Sequence, residues 1–263
     1  MTDDAKEHLD RTIMSSRFRL GQYIDEGYNL WKRKPLSYTA ILILIAFGSS
    51  LFGSIPIIGP MIYSLIVSPC LTLGVYTGSK IISEDEEYFR FEDFFTGFGS
   101  WSKILVLYLI IFGIAFFLFI PIMFQIGLSN VALMTQNDLT TFPYDSITGT
   151  TALLIIPLIY AGLLTSYALP MLGIYQLEPW EALRYSAKYI HKHWVMYFSY
   201  CVVILFIVLL GLLAFFVGAI VTASMIYPMI YVSFADVTNL EGYLNETNEE
   251  PDDYTGATLD DFR

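Results

Sequence analysis

The chain alternates between long apolar runs and short polar segments. No Asp, Glu, Lys, Arg or His occurs within 36–79, 104–126, 151–177 or 195–235. A helix with one face in water would carry a charged residue every turn or two. A helix that crosses a hydrocarbon layer about 30 Å thick needs roughly 20 apolar residues instead. The pattern therefore predicts an all-α, multi-pass membrane protein.

Two of these runs are about twice as long as one span, so each is expected to contain a turn. The first run is interrupted by Gly-Ser-Ile-Pro at 53–56 and by Gly-Pro at 59–60, which are strong turn signals. Val217-Gly218 is the turn expected in the last run. The prediction is six transmembrane helices at about 36–52, 60–82, 103–126, 151–176, 195–216 and 218–234.

Polar segments flank this membrane domain, which is predicted to cover about 16–240. Residues 1–15 are interpreted as a polar N-terminal tail. The segment 241–263 is acidic and poor in aliphatic residues, a composition typical of disorder. Tyr254 and Phe262 lie among these acidic residues and are candidate anchors for a partner protein with a basic surface. The alternative is a tail that only keeps the protein soluble.

The basic residues predict the orientation of the spans. Of the 14 Lys and Arg residues, seven precede the first span, three lie in the second connection, three lie in the fourth, and Arg263 ends the chain. The first, third and fifth connections contain none. Connections that carry Lys and Arg remain in the cytoplasm. Both termini and the even connections are therefore predicted to be cytoplasmic.

Three short segments with apolar residues at helical spacing precede the odd-numbered spans. Their stripes are Leu20, Ile24, Tyr28 and Trp31; Phe91, Phe94, Phe98 and Trp101; and Trp180, Leu183, Ala187, Ile190 and Trp194. The second helix of each predicted hairpin carries a proline at a comparable position, namely Pro69, Pro170 and Pro228. We interpret this as a threefold repeat of an amphipathic interfacial helix and a hairpin. The four tryptophans would be anchors at headgroup level.

Composition and residue spacing limit the kinds of ligand and catalytic site that the chain can support. Hydrophobic residues make up 55% of the chain and charged residues 15%. The net charge of −11 lies in the tails and one loop, and no basic patch suits nucleic acid. Cys70 and Cys201 fall in apolar spans, where packing is the expected role. His191 and His193 lack the i, i+4 spacing of helical zinc sites, so neither a metal nor a cofactor is predicted.

Ionisable residues inside a span usually mark an ion or proton pathway, and the four apolar runs contain none. Polarity in the spans comes mostly from hydroxyl groups, which more often bond between helices than line a pore. The hydroxyl groups considered are those of Ser64, Thr72, Thr165, Ser166, Thr222, Ser224, Tyr63, Tyr160, Tyr167 and Tyr227. Ion-coupled transport is therefore not expected.

Four short motifs follow one another along the chain. They are Trp-Lys-Arg-Lys-Pro at 31–35, the turn at 53–60, Phe-Glu-Asp-Phe-Phe-Thr-Gly-Phe at 91–98 and Glu-Ala-Leu-Arg-Tyr-Ser at 181–186. Over about 16–240 the chain resembles a broad group of uncharacterised bacterial six-helix membrane proteins. A similar domain is fused to some membrane-bound glycerophosphodiester phosphodiesterases. The resemblance implies the fold and a bacterial cytoplasmic membrane, and it carries over no catalytic residue.

The function expected from these observations is non-enzymatic. The leading hypothesis is a scaffold or accessory subunit that binds membrane lipids or another membrane protein. The alternative is a transporter or flippase for an apolar or amphipathic substrate, which need not use buried charges. A membrane enzyme of lipid metabolism comes third, because no acid–base or metal constellation is visible in the sequence.

Overall fold

The structure is a computed structural model that describes residues 2–135, 150–213 and 215–249. The regular secondary structure in those ranges is helical throughout. The α-helices are α1 Thr2–Ser15, α2 Leu20–Arg33, α3 Pro35–Gly53, α4 Ile58–Ile62, α5 Ser68–Glu84, α6 Trp101–Thr135, α7 Thr150–Leu164, α8 Ala168–Ile174, α9 Pro179–Lys192, α10 Trp194–Leu213, α11 Phe215–Ser224, α12 Ile226–Thr238 and α13 Leu240–Glu249. A π-helical segment, Tyr63–Val67, joins α4 to α5, and a 3₁₀ helix, Phe91–Ser100, leads into α6.

Among the described residues, six helical segments are long and apolar enough to cross a membrane, which confirms the predicted all-α class and number of spans. They are Pro35–Gly53, Ile58–Glu84, Phe91–Pro121, Ile156–Ile174, Trp194–Leu213 and Gly218–Thr238. Large side chains such as Phe47, Phe117 and Leu213 are exposed on these helices. Apolar exposure on this scale is expected where the surroundings are lipid rather than water.

The third and fifth connections between spans differ from the predicted ones. α6 continues to Thr135, so it extends beyond 126, where the third span was predicted to end, and residues 136–149 lie outside the described part. The turn predicted at Val217-Gly218 is not there, because α11 begins at Phe215 and contains both residues. A Cβ on Gly211 would stand 2.8 Å from the Gly218 carbonyl oxygen. Here glycine marks a close approach of two helices rather than a turn.

Each even-numbered span changes its helical geometry just before a buried proline. The π-helical segment precedes Pro69, the break between α7 and α8 precedes Pro170, and the break between α11 and α12 precedes Pro228. A proline ring clashes with the carbonyl group four residues earlier and offers it no N–H. The three breaks therefore have one physical cause.

Two of the predicted interfacial segments pack against helices of other hairpins through glycine. α2 lies on α12, where a Cβ on Gly27 would stand 2.6 Å from the Met229 Cα. The 3₁₀ helix lies on α5, where a Cβ on Gly97 would overlap the carbonyl oxygen of Cys70. Because glycine sets the contact of α2, the buried face of that helix is Tyr23, Gly27 and Leu30. The apolar stripe read from the sequence lies beside this face.

The third segment, α9, packs against the break between α7 and α8. Ser186 Oγ accepts the Tyr167 N–H at 3.1 Å and donates to the Leu164 carbonyl at 2.6 Å. These bonds satisfy backbone groups that the broken helix leaves without a partner. Each predicted interfacial segment thus contacts the second helix of another hairpin next to its proline break.

Both polar ends contain helices where tails were expected. Residues 2–15 form α1, and its side chains Ala5 and Leu9 are fully buried. α13 begins the segment that was predicted to be disordered, and Tyr243 on it is 4% exposed. The physical reason is that aromatic and aliphatic groups of the main bundle cover one face of each helix. The candidate anchors Tyr254 and Phe262 lie outside the described residues.

Tyrosines form much of the core among the described residues. Those that are fully buried are Tyr23, Tyr38, Tyr167, Tyr175, Tyr189, Tyr197 and Tyr200. Tyr38 donates to Ser79 Oγ and Tyr167 donates to Ser233 Oγ, both at 3.0 Å. Each bond joins two spans, as expected of hydroxyl groups in a membrane bundle.

Candidate binding surface at the charged end of the bundle

Within the described part of the chain, charged residues meet at one end of the helical bundle. We call this end the charged surface and define it as α1, α2, α9, α13 and the C-terminal ends of α5 and α12. Arg33 Nη1 donates to the Ile82 carbonyl at 2.8 Å and so caps the last turn of α5. Lys103 Nζ lies 2.8 Å from Glu178 Oε1, which links the start of α6 to the segment before α9.

α1 is held to the end of α12 by His8. His8 Nε2 lies 3.1 Å from the Thr238 carbonyl oxygen and 3.2 Å from that of Asn239. In the tautomer with a hydrogen on Nε2, the ring donates to these two carbonyl groups. The Thr238 carbonyl also accepts from the Tyr175 hydroxyl, and the Asn239 carbonyl accepts from the Tyr243 N–H. Asn239 has a φ of 48° and ends α12 in the left-handed conformation.

α1 is held to α9 by two acidic residues. Asp10 accepts hydrogen bonds from Lys188 Nζ and from the Tyr185 hydroxyl, both at 3.0 Å. Burial raises the pKa of Asp10, but these bonds outweigh it and the net pKa is lowered. Burial and the bond to Asp10 raise the pKa of Tyr185 to about 12. Lys6 Nζ lies 2.8 Å from Glu181 Oε1 in the same contact.

An ion pair on the charged surface joins the start of α2 to the last span. Arg19 Nη2 donates to Asp236 Oδ1 at 3.1 Å, and the Tyr23 hydroxyl donates to Asp236 Oδ2 at 2.6 Å. Burial first, and then the Asp236 carboxylate, raises the pKa of Tyr23. Partly exposed pairs contribute only about 0–1 kcal/mol. The hydrogen bond from the Tyr23 hydroxyl therefore contributes more to the position of the Asp236 carboxylate than the ion pair with Arg19 does.

The larger cavity on one side of this pair is rich in carboxylates. We call it the acidic groove; its volume is about 570 Å³. Its charged lining residues are Glu26, Glu84, Asp236, Glu241, Arg19 and Arg33. Its apolar lining residues include Leu30, Leu240 and Leu244. An excess of acids beside an apolar wall suits a helix or peptide with basic and apolar residues.

The cavity on the other side of the pair has the opposite charge. We call it the basic groove; its volume is about 370 Å³. Arg11, Arg17 and Arg19 outnumber the one carboxylate in its lining, Asp236. Its hydroxyl residues are Thr12, Ser15 and Ser16. Guanidinium and hydroxyl groups in this arrangement suit an anionic group such as a phosphate.

The four tryptophans do not share one environment. Trp101, Trp180 and Trp194 are 52%, 62% and 49% exposed, which suits contact with lipid. Trp31 is partly buried, and its indole N–H donates to Ser224 Oγ at 2.9 Å.

Neither groove was predicted from the sequence, because each forms between elements far apart in the chain. The residues missed were His8, Tyr23 and Asp236. A weak signal for α1 was present, since Ala5 and Leu9 are four residues apart and share one helix face. Nothing in the sequence pairs that face with α9 or α12.

Among the described residues, no group of three His, Cys, Asp or Glu side chains is placed to hold a metal ion. No protein-family model, curated protein or solved structure matches the chain. The site is therefore interpreted from its own geometry.

Proposed function

We propose that the protein is a non-enzymatic scaffold or accessory subunit that binds another membrane protein at its charged surface. The observation that carries this proposal is the acidic groove. It is built by α2, the end of α5 and the consecutive helices α12 and α13, and bonds between distant parts of the chain, such as Tyr23 to Asp236, hold them in place. Preformed grooves with fixed walls lower the ordering cost of binding.

The sorting of Lys and Arg supports a cytoplasmic position for the charged surface. The resemblance to bacterial six-helix proteins supports the bacterial cytoplasmic membrane as its location. The partner segment is then a cytoplasmic helix or strand-like peptide with basic and apolar residues. The basic groove suits the phosphate of an anionic lipid headgroup, which accords with a role in lipid binding.

Photo-crosslinking in native membranes tests the protein partner. A photoreactive phenylalanine in place of Gln22, which lines the acidic groove, is expected to cross-link a discrete protein. The same residue in place of Ser50, on α3 and outside the groove, is the position control. Glu26→Lys with Glu241→Lys should abolish the cross-link, whereas Glu92→Lys on the 3₁₀ helix should not. Equal cross-linking from both positions, or none from Gln22, would refute the proposal.

The alternative function, transport of an apolar or amphipathic substrate, is favoured by one observation. A smaller cavity of about 200 Å³ lies between the spans. It shares no lining residue with either groove. Uptake of a solute into proteoliposomes, with and without a pH gradient, would distinguish the two functions. The scaffold proposal expects no flux with this protein alone.

A further inference from the structure

The cavity between the spans is lined by hydroxyl groups at a depth where water is scarce. It lies where α5 and α6 meet the break between α7 and α8, and Tyr76 and Tyr108 are part of its wall. At 1.5 Å per residue, Tyr76 is about 12 Å from the end of α5 and Tyr108 about 10 Å from the start of α6. Half of a hydrocarbon core is about 15 Å thick, so the cavity lies within the leaflet on the side of the charged surface.

The hydroxyl groups around the cavity fall into two classes. Thr72 donates to the Ser68 carbonyl at 2.9 Å, and Thr165 donates to the Gly162 carbonyl at 2.8 Å. Within the described part of the chain, the hydroxyls of Tyr76 and Tyr108 make no hydrogen bond. A donor left without a partner in an apolar medium costs several kcal/mol. The two phenols are therefore donors for whatever fills the cavity.

The rest of the wall restricts the chemistry of the occupant. Leu107, Ile111 and Leu169 supply apolar surface, and the lining residues include no Asp, Glu, Lys, Arg or His. A charged headgroup would find no counter-ion there. An unwound stretch of a membrane helix is tolerated where it lines a cavity, and such stretches often form binding sites. The break between α7 and α8 is such a stretch.

We propose that this cavity binds the carbonyl-bearing end of a neutral membrane lipid, with Tyr76 and Tyr108 donating to its oxygens. The ester carbonyls of a diacylglycerol and the ring carbonyls of a quinone share this chemistry. Access is from the bilayer beside Gly162, which is exposed and where an added Cβ would meet no atom within 4 Å. The site deepens the lipid-binding part of the proposed function, and it does not depend on a protein partner.

Native mass spectrometry of the full chain in detergent tests the site, with dioleoylglycerol, a short-chain ubiquinone and phosphatidylglycerol as probes. One neutral lipid should remain bound per chain, and competition between the first two probes identifies the source. Gly162→Leu fills the entrance and should reduce retention at least tenfold. Gly113→Leu is the matched control, because a Cβ there also meets no atom within 4 Å, and it should change retention less than twofold.

The double variant Tyr76→Phe with Tyr108→Phe keeps the shape of the cavity and removes both donors. Its retention of the neutral probe should fall about tenfold while its gel-filtration profile stays unchanged. Glu26→Lys with Glu241→Lys should leave lipid retention intact, which separates this site from the protein-binding surface. Unchanged retention of the neutral probes in Gly162→Leu would overturn the proposal. So would a loss of phosphatidylglycerol in the double Tyr variant as large as the loss of the neutral probes, because an anionic lipid in the basic groove does not contact Tyr76 or Tyr108.

Discussion

The indole N–H of Trp31 donates to Ser224 Oγ across 2.9 Å and so joins α2 to the end of α11. Ser224 is fully buried and lies just before the break that precedes Pro228. Trp31 therefore packs in the bundle as well as facing its surroundings, unlike the other three tryptophans.

This difference predicts unequal quenching by lipids. In single-tryptophan variants, shallow brominated lipids should quench Trp101, Trp180 and Trp194 more strongly than Trp31, because those three side chains are about half exposed. Ser224→Ala should increase the quenching of Trp31, since the indole loses its partner. Quenching of Trp31 equal to that of Trp180 in the parent protein would contradict the prediction.

Substitution of glycine by alanine should lower stability where two helices are in close contact and leave it unchanged on an open surface. In Gly97→Ala the new Cβ would overlap the Cys70 carbonyl oxygen. Both contacting groups belong to helical backbone, so relieving the overlap requires a shift of one helix. We expect a loss of about 1–3 kcal/mol, the usual cost of overpacking. Gly99→Ala, only two residues away, meets no atom within 4 Å and should be neutral. Thermal unfolding followed by fluorescence-detected gel filtration measures both variants.

Cysteine labelling tests the orientation. Glu86→Cys, in the exposed connection after α5, should resist a membrane-impermeant maleimide in intact cells and react after permeabilisation. Ser54→Cys, in the exposed turn between α3 and α4, should react in intact cells. The expectation follows from the sorting of Lys and Arg. The reverse pattern would place the charged surface outside the cytoplasm.

His193 should make the contact between α1 and α9 sensitive to pH. Its Nε2 lies 3.1 Å from Ser16 Oγ. Burial first, and then the charge of Lys192, lowers the pKa of His193 below its usual 6.5. The unfolded state therefore takes up a proton before the folded state does. Stability is full above pH 6.5 and falls as the pH drops below it.

The test is the melting temperature between pH 7.5 and 5 for the parent protein and for His193→Gln. The parent should lose more stability on acidification than the variant, because the glutamine does not titrate. Every other residue is common to both proteins, so the difference between the two curves isolates His193. Parallel curves of melting temperature against pH would mean that His193 does not contribute to the pH dependence of stability.

Deletion of 250–263 tests the predicted role of the acidic tail. The six spans keep their own backbone hydrogen bonds without it, so insertion and gel-filtration behaviour should be unchanged. Recovery of the protein partner should fall, more at low salt than at high salt, because screening weakens exposed charges. Equal recovery from full-length and truncated protein would leave the tail with a solubilising role only.

The spans were predictable because the lipid environment excludes charged residues over the whole length of each helix. Charges are excluded from 36–79 and 195–235 regardless of what those helices pack against. The turn at Val217-Gly218 was wrong because glycine also permits close helix contact, as at Gly211. Local sequence does not distinguish the two uses.

The grooves were not predictable because their walls come from opposite ends of the chain. Tyr23 and Asp236 are 213 residues apart, and His8 and Thr238 are 230 apart. No local pattern encodes such a pairing. The amphipathic segments were recognised as elements, but the threefold repeat and their interfacial position stay predictions.

The packing partners of the three amphipathic segments determine when each segment can dock during synthesis. The 3₁₀ helix meets α5, and α9 meets the α7–α8 break, so each finds a partner that the ribosome has already released. α2 is different, because its partner α12 is made near the end. At about 5–20 residues per second, α2 waits roughly 10–40 s for that helix. Until translation is nearly complete, the face of Tyr23, Gly27 and Leu30 therefore lacks the helix that covers it in the finished protein.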